Sequence, residues 1–274
     1  DTSISIILFS SLIIFFIGLL DDFLDVRPYI RLVFQLIAVL IVVGNNLSIT
    51  KIGNLPFSLF VENYGYILTI FSVIVLINAY NFIDGSDGNC SSNFLFSILS
   101  IFFYLYSYNL LTISLSQFLQ LLAFNVFLFF CINISLFKIK KVFLGDSGST
   151  WLGYILAWIL IYLSEENLIN PVLILWFIAI PIFDLLRLLI KRVLNKKNPF
   201  LPDRFHLHHI IENYTKNNLY TLVIILILNI TLLLTGIFIN ENFSDLLSLL
   251  IYVFCFIIYL IFLKFLESNL KYQY

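Results

Sequence analysis

Four short polar clusters interrupt an otherwise apolar chain, and they hold the residue types that handle phosphate. The densest is Asn78-Ala79-Tyr80-Asn81-Phe82-Ile83-Asp84-Gly85-Ser86-Asp87-Gly88, which follows an apolar run from Tyr66 to Ile77. Carboxylates and amides are costly beside hydrocarbon, so their place at the end of such a run marks a functional-site candidate. Gly85 and Gly88 admit positive φ, which lets the backbone bend tightly and bring Asp84 and Asp87 toward one point. Oxygens gathered in this way suit Mg²⁺, a hard cation that keeps room for phosphates. A capped helix end followed by a turn would account for the same residues without any chemistry.

The other three clusters complement it. Asp21-Asp22-Phe23-Leu24-Asp25 closes the first apolar run. On a helix Asp21 and Asp25 stack at i,i+4, while Asp22 points about 100° away. Three acids at a helix C-terminus oppose its dipole and repel one another, so one pKa should rise unless a cation sits nearby. Such a run suits Mg-diphosphate binding or a general base; a solvated helix end is the plainer alternative. Phe143-Leu144-Gly145-Asp146-Ser147-Gly148-Ser149 precedes another apolar run. There Asp146, Ser147 and Ser149 could cap the next helix, whose first N–H groups also attract phosphate. Gly-Asp-Ser-Gly resembles a serine-protease nucleophile loop, but the rest of that triad's context is missing. Finally, Pro202-Asp203-Arg204-Phe205-His206-Leu207-His208-His209 lies in the longest polar loop, Lys191 to Asn218. Arg204, His206, His208 and His209 form a patch of hydrogen-bond donors suited to phosphate. Zinc is the weaker reading, since neither an H-E-x-x-H helix nor a Cys partner accompanies them. Acids for Mg²⁺ on one side and an Arg/His loop on the other compose a phosphoryl-transfer site. Asp184 and Arg187, one turn apart, read as an internal ion pair.

The elements that carry these clusters are membrane helices. Of 274 residues, 61% are hydrophobic and 11% charged, and the mean hydropathy is +1.02, against about 25% charged residues in a soluble domain. Apolar runs long enough for roughly 30 Å of hydrocarbon recur from end to end, and the short alternating strands of a barrel do not. The expected fold is an all-α polytopic membrane protein. Nine spans are expected, near 4–20, 32–49, 66–83, 94–114, 118–136, 150–163, 171–190, 219–239 and 246–266. With no soluble domain or low-complexity linker, residues 1–274 read as one membrane domain. This division puts 14 of the 15 Lys and Arg residues on one side and only Lys51 on the other. By the positive-inside rule the basic side is cytoplasmic, the N-terminus is outside and the C-terminus inside. All four polar clusters then share the cytoplasmic surface, as a single active site there requires, and one substrate is expected to be a lipid phosphate. A transporter of a lipid-linked or anionic solute is the rival class, but its ionisable groups belong near the bilayer midplane rather than at span ends. Cys90, Cys131 and Cys255 are isolated and read as packing residues.

Taken in order, Asp21-Asp22, Asn78-x-x-Asn81-x-x-Asp84-Gly-x-Asp87-Gly, Phe143-Leu-Gly-Asp146-Ser-Gly-Ser and Pro202-Asp-Arg204-Phe-His206-Leu-His208-His209 resemble the polyprenyl-phosphate N-acetylhexosamine-1-phosphate transferases of glycosyltransferase family 4. Within them the chain is similar to the bacterial enzymes that load GlcNAc-1-phosphate onto undecaprenyl phosphate. The resemblance implies attack of the lipid phosphate on the β-phosphorus of a UDP-sugar with release of UMP. That step opens lipopolysaccharide O-antigen, common-antigen or teichoic-acid linkage-unit synthesis in cell wall biogenesis. It further implies that Asn81 and Asp146 hold Mg²⁺, and that Asp21 and Asp22 orient or deprotonate the lipid phosphate. Asp84 and Asp87 would hold the nucleotide and order the metal site, Phe143 would stack on uracil, and Arg204, His206, His208 and His209 would grip the diphosphate and sugar. The expected partners are a UDP-sugar, a polyprenyl phosphate and the inner (plasma) membrane, with no nucleic acid; a homodimer is a further expectation. The family's first two spans and their Gly-Gly loop are absent here, and with no Met in the chain an N-terminal part is expected to be missing. Asn89-Cys90 also departs from the small or apolar residues usual after Asp87-Gly88.

Overall fold

The computed structural model describes residues 2–56, 58–136, 140–196 and 206–271, and every regular element among them is helical. In chain order these are α1 (Thr2–Leu24), α2 (Pro28–Val43), α3 (Ser58–Ile83), α4 (Asn89–Ser107), α5 (Ile113–Asn133), α6 (Gly145–Glu165), α7 (Pro171–Phe177), α8 (Ala179–Leu194), α9 (Leu207–Thr215), α10 (Asn218–Asn242) and α11 (Asp245–Lys271). Seven of them, α1, α3, α4, α5, α6, α10 and α11, are long and apolar enough to cross a membrane. The protein is a polytopic all-helical membrane protein.

Two of the nine expected spans take another form. The run expected over 32–49 is α2, which starts early because Pro28 suits the first helical position and stops at Val43 before a Gly44–Asn46 turn. Its 16 residues rise about 24 Å at 1.5 Å per residue, short of a full hydrocarbon core. The span expected over 171–190 is two helices, α7 and α8, bent by 80°. Pro181 supplies the reason: it has no N–H to offer, and its ring crowds the carbonyl four residues back, that of Phe177. That carbonyl accepts instead from Ser97 Oγ of α4, at 2.9 Å. Counting the bent pair as one span gives eight.

α6 is the hub. It is the most buried of the crossing helices and packs against α1 and α3. Both contacts are made at glycine. A Cβ on Gly18 of α1 would stand 2.5 Å from Ser147 Cα, and one on Gly153 of α6 would stand 2.8 Å from the Leu76 carbonyl oxygen and 2.9 Å from Ile77 Cα. Backbone therefore meets backbone at both crossings. Deeper in the bundle, Tyr154 Oη lies 2.5 Å from Ser10 Oγ and 3.4 Å from the Ala38 carbonyl, linking α6 to α1 and α2. These contacts carry the C-terminal ends of α1 and α3 to the N-terminus of α6.

Candidate active site

Three helix ends meet at one end of the bundle. α6 begins at Gly145, five residues before its expected start, so Asp146 to Ser149 lie within its first turns. The side chains expected to cap it do not. Asp22 of α1 does so from across the crossing, accepting from the Asp146 N–H at 2.7 Å, the Ser147 N–H at 3.2 Å and Ser147 Oγ at 2.7 Å. A carboxylate there satisfies otherwise orphaned donors and complements the positive end of the helix dipole. The expected Asp21–Asp25 stack does not form. α1 ends at Leu24, and Asp25 turns the chain at φ 50°.

Asp21 pairs with Arg31 of α2, and the same Arg31 Nη1 reaches Asp146 Oδ2 at 2.7 Å. Arg31 thus bridges two carboxylates from α1 and α6, which separates charges that would otherwise repel. From α3, Asn81 Nδ2 donates to Asp146 Oδ1 at 2.8 Å and to Ser149 Oγ at 3.3 Å. The two residues expected to share a cation are therefore adjacent, joined by a hydrogen bond. One turn earlier, Asn78 donates to Gln35 Oε1 of α2 at 2.9 Å, which fixes the α2–α3 register beneath the site.

Asp84 follows at the end of α3. Burial, then the charges of Asp146, Asp22 and Asp87, push its carboxyl up to about 8. The turn it enters is packed from the other side by α9. A Cβ on Gly85 would lie 2.5 Å from His208 Nε2 and 3.4 Å from His209 Nε2. The rings of His206, His208 and His209 lie 4.1 to 6.2 Å apart. Asp87 pairs with Lys141, while its carbonyl accepts from Asn218 at 2.8 Å. Phe143, just before α6, is 77% exposed, an open apolar face beside the acids.

His206 is held differently from its neighbours. Its Nδ1 lies 3.1 Å from Asp184 Oδ2, and Asp184 also takes the Leu207 N–H at 3.0 Å, Tyr259 Oη at 3.2 Å and Arg187 at 3.4 Å. The expected Asp184–Arg187 pair forms, and it also anchors the start of α9. Arg204 lies outside the described residues. So Asp21, Asp22, Asn81, Asp84, Asp87, Asp146, His208 and His209 come together from the ends of α1, α3, α6 and α9 and the turn between α3 and α4. Among the described residues, no three His, Cys, Asp or Glu side chains are grouped as a metal site. Arg31 has no role in the sequence reading beyond being one of the 14 basic residues on the cytoplasmic side. Its place one turn into a Pro-started helix, ten residues after Asp21, was the available signal.

Burial, with His209 and His206 nearby, pushes His208 down to about 3 from an ordinary 6.5. The folded protein then holds this ring neutral while the unfolded chain takes up a proton below about 6.5, so stability falls as pH drops through that window. The thermal midpoint in detergent is expected to decline between pH 7 and pH 5, and His208→Gln is expected to flatten the decline. Equal slopes for the two proteins would contradict this account of the ring.

Comparison with known proteins matches the site to a family. The family model described as Glycosyl transferase family 4 covers residues 4–164, more than half of the chain. Three proteins named undecaprenyl-phosphate alpha-N-acetylglucosaminyl 1-phosphate transferase are similar to it. That of Yersinia pestis is 32% identical over 76% of this chain, that of Escherichia coli K12 31% over 77%, and that of Haemophilus influenzae 30% over 74%. In each case the match spans 59% of the relative's own length. The family match includes α1, α3 and the start of α6, which carry Asp21, Asp22, Asn81, Asp84 and Asp146. The chain belongs to glycosyl transferase family 4.

Proposed function

We propose that the protein transfers a HexNAc-1-phosphate, GlcNAc-1-phosphate foremost, from a UDP-sugar to undecaprenyl phosphate and releases UMP. The observation that carries this reading is the junction of α1, α3 and α6, where Asp22, Asn81 and Asp146 interlock beside Asp84. The name those relatives carry supports the acceptor and the sugar phosphate. An oxygen of the lipid phosphate attacks the β-phosphorus of the UDP-sugar, the bond from that phosphorus to the bridging oxygen breaks, and the pair of electrons leaves on UMP. The product is a lipid diphosphate sugar, and the diphosphate count of the reactants is conserved.

The donor set fits Mg²⁺. Asp146, Asn81 and Asp84 offer hard oxygens, and Asp84, raised first by burial and then by the neighbouring charges of Asp146, Asp22 and Asp87, sits where a cation would favour its ionised form. One or two carboxylates with room for water and phosphate are the usual pattern for this ion. When bound it would neutralise charge on the transferred phosphoryl group. Asn81 would turn its amide to present Oδ1. Arg31, already reaching Asp146, would meet the incoming lipid phosphate beside Asp21. Phe143 would supply the flat face for the uracil, and His208 and His209 would close over the diphosphate from α9.

In this reading the site faces the cytoplasm, since the Lys and Arg residues crowd that side. Although α2 is short, Thr50 just beyond it meets Glu165 at the far end of α6, so α2 and the bent α7–α8 pair count as crossings with the seven long helices, and nine crossings set the N-terminus outside and the C-terminus inside. Lipopolysaccharide O-antigen or a related surface polymer is the downstream product, and a homodimer the assembly. The test is incubation of the protein with UDP-GlcNAc, undecaprenyl phosphate and Mg²⁺. UMP and a lipid-linked diphosphate sugar are expected together, both lost with EDTA. Release of UDP in place of UMP would mean glycosyl rather than phosphosugar transfer and would overturn the proposal.

A further inference from the structure

His208 is almost fully buried, at 1% exposure, and its two ring nitrogens have unlike surroundings. Nδ1 lies 3.2 Å from Asn89 Nδ2. Nε2 has no hydrogen-bond partner among the described residues and faces the Gly85 backbone. A buried donor left unpaired costs about 1–3 kcal/mol, so such an atom calls for an explanation.

The proton can be placed by following the amides. Asn89 sits at the start of α4, and the side-chain atom that meets His208 also lies 2.8 Å from the Ile83 carbonyl oxygen. A carbonyl oxygen only accepts, so that Asn89 atom is the NH₂ group, and its second hydrogen points at His208 Nδ1. Nδ1 must then carry a lone pair. Asn89 Oδ1 is occupied in turn by Asn93 Nδ2 at 3.1 Å, which also donates to the Asn89 carbonyl at 2.8 Å, so the second amide is fixed by the same logic. Asn93 Oδ1 accepts from Asn229 Nδ2 of α10 at 2.9 Å. Asn89, Asn93 and Asn229 are each at most 3% exposed. Three buried amides from two helices thus point their donors in one direction, toward the imidazole.

We propose that Asn89, backed by Asn93 and Asn229, is a positioning residue that holds His208 as the Nε2–H tautomer and so aims a hydrogen-bond donor over the Asp84–Gly85 turn. A ring whose Nδ1 accepts cannot also be doubly protonated, so this histidine is neither a cation nor a base toward the site. It is a neutral donor with its proton already in place, and Gly85, where a Cβ would stand 2.5 Å from Nε2, leaves that proton room. The tautomer stands on hydrogen-bond geometry alone; its use against a substrate phosphate rests on the transfer reaction proposed above.

The experiment is ¹⁵N NMR of histidine-labelled protein in lipid nanodiscs, with the three histidines of the chain assigned by single Gln substitutions. The wild-type His208 resonances are expected to show a protonated Nε2 and an unprotonated Nδ1. Asn89→Asp places an acceptor where the donor stood and is expected to move the proton to Nδ1. UMP release should then fall about tenfold to a hundredfold in kcat, the scale of a lost partner to a functional imidazole. Asn89→Ala is expected to give averaged nitrogen shifts and a smaller loss. A wild-type spectrum with Nδ1 protonated, or with averaged tautomers, overturns the assignment even if no variant folds. A switched tautomer with undiminished kcat overturns the positioning role. Wild-type protein with the expected tautomer and no UMP release sinks the transfer reaction and leaves the tautomer standing.

Discussion

Asp146→Asn is expected to reduce UMP release by about 10³-fold or more while the protein still folds. Asp146 joins α1, α2 and α3 to α6: Oδ1 takes the Asn81 amide at 2.8 Å, Oδ2 takes Arg31 at 2.7 Å, and its own N–H is held by Asp22 at 2.7 Å. The asparagine keeps the backbone bond and the volume, so α6 remains capped and α1 remains attached. What disappears is the negative charge and one acceptor. The NH₂ group of the new residue must face either Asn81 or Arg31, both of which donate, and one contact turns repulsive. A cation held there loses its only charged protein ligand in the Asn81–Asp146 pair. About 4 kcal/mol of lost transition-state stabilisation corresponds to 10³-fold at 1.36 kcal/mol per decade, within the several kcal/mol that a bound metal supplies. The check is kcat from UMP release, with thermal unfolding run beside it. Retention of full turnover would remove Asp146 from the chemistry.

The second large effect lies in the packing below. Gly18→Val is expected to cost about 10²-fold in kcat and to lower the melting temperature. A Cβ at position 18 would meet Ser147 Cα at 2.5 Å, Ser147 N at 2.7 Å and the Asp146 carbonyl oxygen at 2.8 Å. All three are backbone atoms, so no rotamer change relieves the clash and α1 must move away from α6. Overpacking of this kind costs typically about 1–3 kcal/mol. The catalytic cost is separate. Asp22 reaches the Asp146 and Ser147 N–H groups only because the helices touch, and a displacement of about 1 Å in a positioning element can cost 10²-fold. Thermal unfolding and UMP release on the same preparation separate the two effects: turnover should drop well beyond the fraction unfolded. A stable variant with wild-type turnover would mean that the α1–α6 approach does not position the site.

Much of this arrangement is legible in the chain because the membrane forbids stray polar groups. Asp21, Asn81, Asp84 and Asp146 stand out against apolar runs, and the basic residues sort them to one side, so their meeting could be expected before any coordinates. Their partners are less legible, because they are chosen by tertiary approach rather than by local spacing. Asp22 caps a helix that starts 123 residues later in the chain, and nothing local to α6 announces this. Arg31 reads as a topogenic charge until α2 folds back beside α1. Asn89 reads as a departure from a motif, and its role emerges only when α9 brings His208 to it and α10 brings Asn229 to Asn93 behind it. The break at Ile178 was hidden for a different reason: an apolar stretch of the right length passes for one span, although Pro181 carried the signal. Hydropathy reports length and solvent, whereas the bend follows from one missing N–H.

The most direct test of the central claim is Mn²⁺ binding, measured by EPR on the protein in nanodiscs with Mn²⁺ standing in for Mg²⁺. If Asn81 and Asp146 share a cation at the junction of α1, α3 and α6, the wild-type protein binds Mn²⁺ with UDP-sugar present. Asp146→Asn abolishes that binding, and Asn81→Leu weakens it about tenfold or more. Mn²⁺ bound equally well by wild type and both variants would contradict the account, because the ion would then sit elsewhere and the meeting of these residues would serve only the fold.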